Sequence, residues 1–232
     1  MSDRHLAHWP PGLPKHLTLP ETNVFHNAEV SAQRFPNKPF IVFYDTPVTF
    51  SEFLDEAERI AGYLQQVCGV KAGDRVLLYM QNSPQWVLAF YGILRANAVV
   101  VPVNPMNMTE ELKHYVKDTG ATTAFVPQDL HAQMQPLVGG EQGLKHLVVV
   151  TYSDYLKRPT DLPVPPFVAE PRKTFTEPGS IAWTEVLAKN LRPGPLTAGP
   201  DDLCVMPYTS GTTGHPKGCM HTHRSTMSTL VG

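Results

Sequence analysis

The stretch Tyr208-Thr209-Ser210-Gly211-Thr212-Thr213-Gly214-His215-Pro216-Lys217-Gly218 sets four aliphatic hydroxyls, three glycines and one lysine within eleven residues. Glycine lets a backbone turn tightly and bring its N–H groups close to an anion. Ser and Thr hydroxyls add neutral donors, and lysine adds a mobile point charge. The combination suits a polyphosphate. Such composition more often marks a flexible linker. Against a linker, Leu203-Cys204-Val205-Met206 reads as a strand running into the loop, and Cys219 to Thr222 as an extended stretch leaving it.

Two other phosphate motifs fail on spacing. A Walker A loop needs G-x-x-x-x-G-K-[ST]. Counted from Gly211, its second glycine falls on Pro216 and its hydroxyl on Gly218. A dinucleotide fingerprint needs G-x-G-x-x-G opening a helix, and no such spacing occurs here.

Upstream of the loop the chain alternates. Thr22 is placed to cap a helix running to Phe35, where Pro36 stops it. Phe40 to Tyr44 and Val48 to Phe50 flank Asp45-Thr46-Pro47 as a hairpin. Thr49-x-x-Glu52 is a capping box opening a helix with Phe53, Leu54, Ala57, Ile60, Ala61, Leu64 and Val67 at helical spacing, ended by Gly69. Continuous apolar strands follow at Val76 to Met80, Val99 to Val103, Thr123 to Val126 and Leu147 to Val150. Between them lie helices begun by Ser83-Pro84 and Thr109-Glu110-Glu111, and a weaker one from Asp129 to Leu137. Continuous apolar strands separated by helices argue for an α/β fold: a doubly wound, mostly parallel sheet flanked by helices.

Residues 151–200 hold nine prolines, with helical spacing only from Ser180 to Lys189. They read as a connection wrapped over the core, because Phe167, Phe175 and Trp183 need burial. His223 to Gly232 reads as the start of a helix. Residues 1–21 form an irregular arm rich in Pro and His, with His5 and His8 on its surface.

The 232 residues carry a net charge of −2, which gives no basic footprint for nucleic acid. Three cysteines, Cys68, Cys204 and Cys219, form no pairable framework and read as reduced thiols. The most apolar window, Trp86 to Val103, is broken by Arg95, Asn97 and Pro102, so no transmembrane segment is expected. Cys219, His221 and His223 would share one face of a single strand and invite a zinc site with His215, although C-x-H-x-H on a strand is not a usual ligand spacing. No metal is assigned to this chain's own side chains.

The loop resembles the phosphate-binding signature of the acyl-adenylate-forming (AMP-binding) superfamily, which includes acyl-CoA synthetases, firefly luciferase and the adenylation domains of peptide synthetases. Gly73-Asp74-Arg75-Val76, Asn82-Ser83, Tyr91-Gly92-Ile93-Leu94, Val101-Pro102-Val103-Asn104-Pro105 and Thr222-His223-Arg224 are also similar to the N-terminal part of acyl-CoA synthetases. Asn104-Pro105-Met106-Asn107 resembles the fatty-acyl branch. The similarity runs from about Thr22 to Gly232 and is loosest through the proline-rich connection.

The resemblance implies ATP-dependent activation of a carboxylic acid, a fatty acid here, to acyl-AMP, followed by thioesterification to coenzyme A. ATP, magnesium and coenzyme A are the cofactors it brings. It assigns Thr209, Ser210, Gly211, Thr212, Thr213, Gly214 and Lys217 to a phosphate cradle, with Lys217 on the β/γ-phosphates; a lone lysine near a turn is otherwise a solvated charge. His223 has two readings: a wall of the acyl and nucleotide pocket, as the resemblance implies, or a helix N-terminal residue bonded to backbone.

Complete members of the superfamily are longer and carry a catalytic lysine in a C-terminal domain, whereas no lysine follows Lys217 here. The expectation is therefore an N-terminal portion: an arm over 1–21 and a partial AMP-binding domain over 22–232, inactive alone, cytoplasmic, with peripheral membrane contact left open. An open sheet edge would favour self-association. Two alternatives stand beside it, adenylation for a carrier-protein acceptor and a non-catalytic phosphate- or partner-binding remnant.

Overall fold

Asn23, not Thr22, opens the first helix. The computed structural model describes residues 3–141, 143–209 and 216–231, and in it Asn23 Oδ1 accepts from the His26 N–H at 3.0 Å, capping α1 (Val24–Arg34). Its amide also donates to Ala198 O at 2.9 Å. That second bond, 175 residues away in sequence, decides the cap.

The hairpin of β1 (Pro39–Phe43) and β2 (Thr46–Thr49) turns at Tyr44-Asp45, one residue before the expected turn. Both residues hold left-handed φ, 45° and 62°, the geometry whose twist matches antiparallel strands. Pro47 consequently falls inside a strand, opposite Val42. α2 (Phe50–Gln66) begins with the expected capping box: Glu52 N–H donates to Thr49 Oγ1, and Thr49 N–H donates to the Glu52 carboxylate at 2.8 Å. The Thr49 N–H and the Thr49 hydroxyl, which donates to the same carboxylate at 2.8 Å, hold the Glu52 carboxyl below its ordinary range. Gly69, at φ 68°, turns the chain past the helix end.

The alternating run follows as β3 (Arg75–Tyr79), α3 (Pro84–Arg95), β4 (Val99–Val103), α4 (Thr109–Thr119), β5 (Thr123–Pro127), α5 (His131–Met134) and β6 (His146–Val150). Ser83 Oγ caps α3 by accepting from Trp86 N–H at 3.1 Å. The helix expected over Asp129 to Leu137 shrinks to the single turn of α5 and a 3-10 turn, because Pro136 has no N–H to continue it.

Along β3, Val76 and Leu78 pack into one core while Leu77 and Tyr79 pack into a second on the opposite face. Strand periodicity of two explains the split. The first core also takes residues of α1, α2 and α3, and the second takes Leu112, Tyr115 and Val116 of α4 and Met134 of α5. Both faces of the sheet are covered, as continuous apolar strands require.

The connection is more ordered than its prolines suggest. It carries α6 (Pro166–Ala169), β7 (Ser180–Ala182) and α7 (Trp183–Ala188). Ser180 to Ala182, read above as helical, instead pairs parallel with β6, and only the residues after it are helical. Trp183 is buried and Phe175 half-buried against His131, but Phe167 is 39% exposed, contrary to expectation. Two side-chain amides hold this segment down. Gln128 Oε1 accepts from Thr151 Oγ1 and from Lys173 N–H, and Asn97 Oδ1 accepts from the N–H groups of Thr197 and Ala198.

The remaining elements are β8 (Leu203–Val205), β9 (Tyr208–Thr209), β10 (Lys217–Gly218), β11 (His221–Thr222) and α8 (His223–Val231). The main sheet runs β11-β8-β4-β3-β5-β6-β7, parallel throughout except for β11. The N-terminal arm holds a 3-10 turn, Asp3–His8, and is otherwise irregular with His8 exposed. Among the described residues no helix is long and apolar enough to cross a membrane.

Gly62 shows how closely the connection lies on α2. A Cβ there would stand 2.4 Å from Leu191 C and 2.6 Å from Arg192 N. Alanine would gain about 1 kcal/mol of helix propensity, but overpacking costs about 1–3 kcal/mol or more, and a backbone obstacle cannot swing aside. Gly62→Ala is expected to lower urea-unfolding stability by about 1–2 kcal/mol net. A stabilised variant would contradict this packing.

Candidate functional site

Tyr208–Thr209 and Lys217–Gly218, on either side of the glycine-rich segment, form a short stem beyond the carboxyl end of β8. Met206 N–H donates to Val100 O at 2.8 Å, tying the strand's exit to β4. β9 and β10 then pair antiparallel, with Thr209 opposite Lys217 and Tyr208 opposite Gly218. Gly218 suits this register, because a Cβ there would meet the Met206 side chain at 3.0 Å and the Tyr208 ring at 3.2 Å. Thr209 and Lys217 are both exposed. Ser210, Gly211, Thr212, Thr213, Gly214 and His215 lie outside the described residues.

A cavity of about 450 Å³ opens beside the stem. Asn104 and Asn107 line it from the segment after β4, Glu111, His114 and Tyr115 from α4, and Thr209 from the stem. The carboxyl rim of parallel strands is where open α/β sheets place their ligands. Tyr208 donates its hydroxyl to the Asp118 carboxylate, and its ring lies 4.5 Å from that of Tyr115. Burial, reinforced by Asp118, pushes the Tyr208 phenol well above its ordinary range, so it stays a neutral donor.

His223 takes no part in lining that cavity. It is the first residue of α8, 1% exposed, and its Nδ1 accepts from the Val24 N–H at 3.1 Å. An acceptor Nδ1 fixes a neutral ring with the proton on Nε2. The bond joins the start of α1 to the start of α8 and satisfies a helix-end donor. Arg224 beside it makes a two-pronged ion pair with Asp201, and His223 N–H donates to Asp202 O at 3.0 Å, so the Asp201-Asp202 turn anchors the start of α8.

The single-strand premise behind a zinc site does not hold. Lys217–Gly218 form β10 on the stem and His221–Thr222 form β11 on the main sheet, Cys219 lies between them in neither strand, and His223 is helical. Among the described residues no three His, Cys, Asp or Glu side chains gather as a metal cage. The three cysteines are free, and burial pushes the Cys204 thiol up to about 11.

The helix opened by Thr109 was expected, but its part in the site was not. His114, Tyr115 and Asp118 form no motif, and the one available signal was the four-residue spacing that puts His114 and Asp118 on one helix face.

Residues 28–232 match the family described as AMP-binding enzyme, and the chain belongs to it. It is 30% identical over 231 residues to a long-chain-fatty-acid–CoA ligase of Bacillus subtilis, covering 96% of this chain and 40% of that relative. The chain thus spans about two fifths of that ligase's length. Among solved structures it is similar to an anthranilate CoA ligase in complex with anthranoyl-AMP, at TM-score 0.70 and 25% identity over 90% of this chain and 36% of that one. A long-chain-fatty-acid–CoA ligase from Archaeoglobus fulgidus shares the fold at TM-score 0.71 and 24% identity, over 95% of this chain and 40% of that one.

The His223 bond makes stability depend on pH. Burial lowers the ring's pKa from its ordinary 6.5, so the unfolded chain binds the proton more readily than the folded one. The bond's stabilisation is complete above pH 6.5 and drains as pH falls toward the folded value, at up to about 1.4 kcal/mol per unit. His131 and His146 are lowered too, so the comparison needs His223→Asn, which keeps an acceptor that does not titrate. Urea unfolding between pH 7.5 and 5.5 should lose less stability in His223→Asn than in the unsubstituted chain. Equal slopes would refute the neutral buried ring.

Proposed function

We propose that this chain carries the polyphosphate site of an ATP-dependent acid–thiol ligase that activates a fatty acid. The observation that carries the reading is the stem register, which puts the Lys217 side chain directly across from Thr209 at the mouth of a hydroxyl- and glycine-rich loop. Membership of the AMP-binding enzyme family supports it. The name of the Bacillus subtilis relative supports the fatty-acid substrate, and the anthranoyl-AMP bound by the structural neighbour supports an acyl-adenylate intermediate.

A carboxylate is a poor electrophile and lacks a good leaving group. Its attack on the α-phosphorus of ATP forms a C(=O)–O–P bond, breaks the bond to the β-phosphate oxygen and releases pyrophosphate. The thiol of coenzyme A then displaces AMP. The first step gathers negative charge on the departing diphosphate, and preorganised donors with a cation there lower the barrier. Lys217 supplies the cation at the β/γ-phosphates and Thr209 a hydroxyl donor, while Ser210, Gly211, Thr212, Thr213 and Gly214 supply the turn's remaining donors. Magnesium carried by the triphosphate would neutralise further charge. Glu110 and Glu111 line the adjacent cavity, but they form no three-ligand cage, so the protein's own part is assigned to the ammonium and hydroxyls.

Because the chain spans 40% of its Bacillus subtilis relative, ligand binding rather than turnover is the readout. Lys217→Ala should weaken pyrophosphate binding in isothermal titration by about 10- to 100-fold, the worth of a charge-assisted hydrogen bond, with an unchanged melting midpoint. Equal binding by both proteins would dispose of the Lys217 assignment.

A further inference from the structure

The stem beneath the loop contains two residue pairs. So short a hairpin cannot hold its own register in water, so something else sets it. One face of α4 reaches both sides of the stem. Asp118 accepts the Tyr208 hydroxyl on the incoming side. His114 Nε2 lies 2.8 Å from Pro216 O on the outgoing side, and since a carbonyl only accepts, Nε2 donates. Between them the Tyr115 ring packs on Tyr208, with the His114 ring edge-on to Tyr208 at 6.0 Å.

The helix making these contacts is itself rigidly seated. Leu112 and Val116 are buried in the core beneath the sheet, and Thr109 Oγ1 donates to Gln133 O at 2.9 Å. A core-anchored helix therefore grips the two chain segments on either side of Ser210 to His215.

We propose that α4 is the positioning element of the phosphate loop, with His114 and Asp118 as positioning residues. They set the separation of the loop's two ends, and through it the placement of the Thr209 hydroxyl and the Lys217 ammonium. This rests on the phosphate reading of the loop. Donors fixed before the ligand arrives bind without an ordering cost, so a loosened clasp weakens binding while leaving every phosphate-contacting side chain in place.

The experiment compares the unsubstituted chain with His114→Ala, His114→Gln, Asp118→Ala and Lys217→Ala. Pyrophosphate affinity, melting midpoint and hydrogen exchange at the Lys217, Gly218 and Cys219 amides are measured for each. His114→Ala and Asp118→Ala should each weaken pyrophosphate binding by about 3- to 10-fold, the worth of one hydrogen bond, and speed exchange at those amides without lowering the melting midpoint. His114→Gln, whose amide still donates to the carbonyl, should restore both. Unchanged affinity and exchange in the two alanine variants, with Lys217→Ala still impaired, overturns the clasp and leaves the phosphate reading standing. A parallel fall in melting and affinity that glutamine fails to restore marks a merely structural role and overturns it too. Absence of pyrophosphate binding by the unsubstituted chain overturns both readings.

Discussion

The central strands are buried on both faces, and that constraint dictates what can be built on them. Val76 and Leu78 face one core, Leu77 and Tyr79 the other, and each side chain is fully buried. Polar backbone in such strands is satisfied only by neighbouring strands, and parallel neighbours require crossovers long enough to carry a helix. Helices must then lie on both sides of the sheet, and β3, β4, β5, β6 and β8 all end on the same rim. The loop follows β8 on that rim, and Asn104 and Asn107 follow β4 there. Placement of the site is thus a consequence of parallel pairing.

Where the governing physics is local, the amino-acid sequence discloses it. The Thr49–Glu52 capping box, the Ser83-Pro84 helix start and the apolar strand runs each depend on residues within a turn or two. Distant partners defeat such reading. Nothing near Thr22 announces that Asn23 will bond Ala198, and nothing near Ser180 announces a strand position beside β6. Tyr44 at a left-handed φ is similarly silent, since tyrosine carries no preference for that region. The candidate site divides along the same line. Its loop is legible because glycines, hydroxyls and lysine are contiguous, whereas His114 and Asp118 act on segments 102 and 90 residues away.

His223 illustrates how the two halves of the fold are fastened. Its ring, nearly inaccessible, spends its acceptor on the first turn of a helix 199 residues earlier. Arg224 and Asp201 add a charged pair next to it, and Asn23 fastens the same helix end to Ala198. The proline-rich connection is held in the same manner by Asn97 and Gln128. Single amides satisfying several backbone groups replace regular pairing where proline forbids it.

Everything assigned to the loop requires that the stem bring Thr209 and Lys217 together as one anion site. The most direct measurement is a nuclear magnetic resonance titration of the chain with pyrophosphate, following backbone amides and lysine ammonium groups. The account predicts that the Thr209, Lys217 and Gly218 signals shift together and saturate with one dissociation constant, while Lys15, Lys71 and Lys189 stay still. Shifts spread evenly over the surface lysines, or none at Thr209 and Lys217, would contradict it.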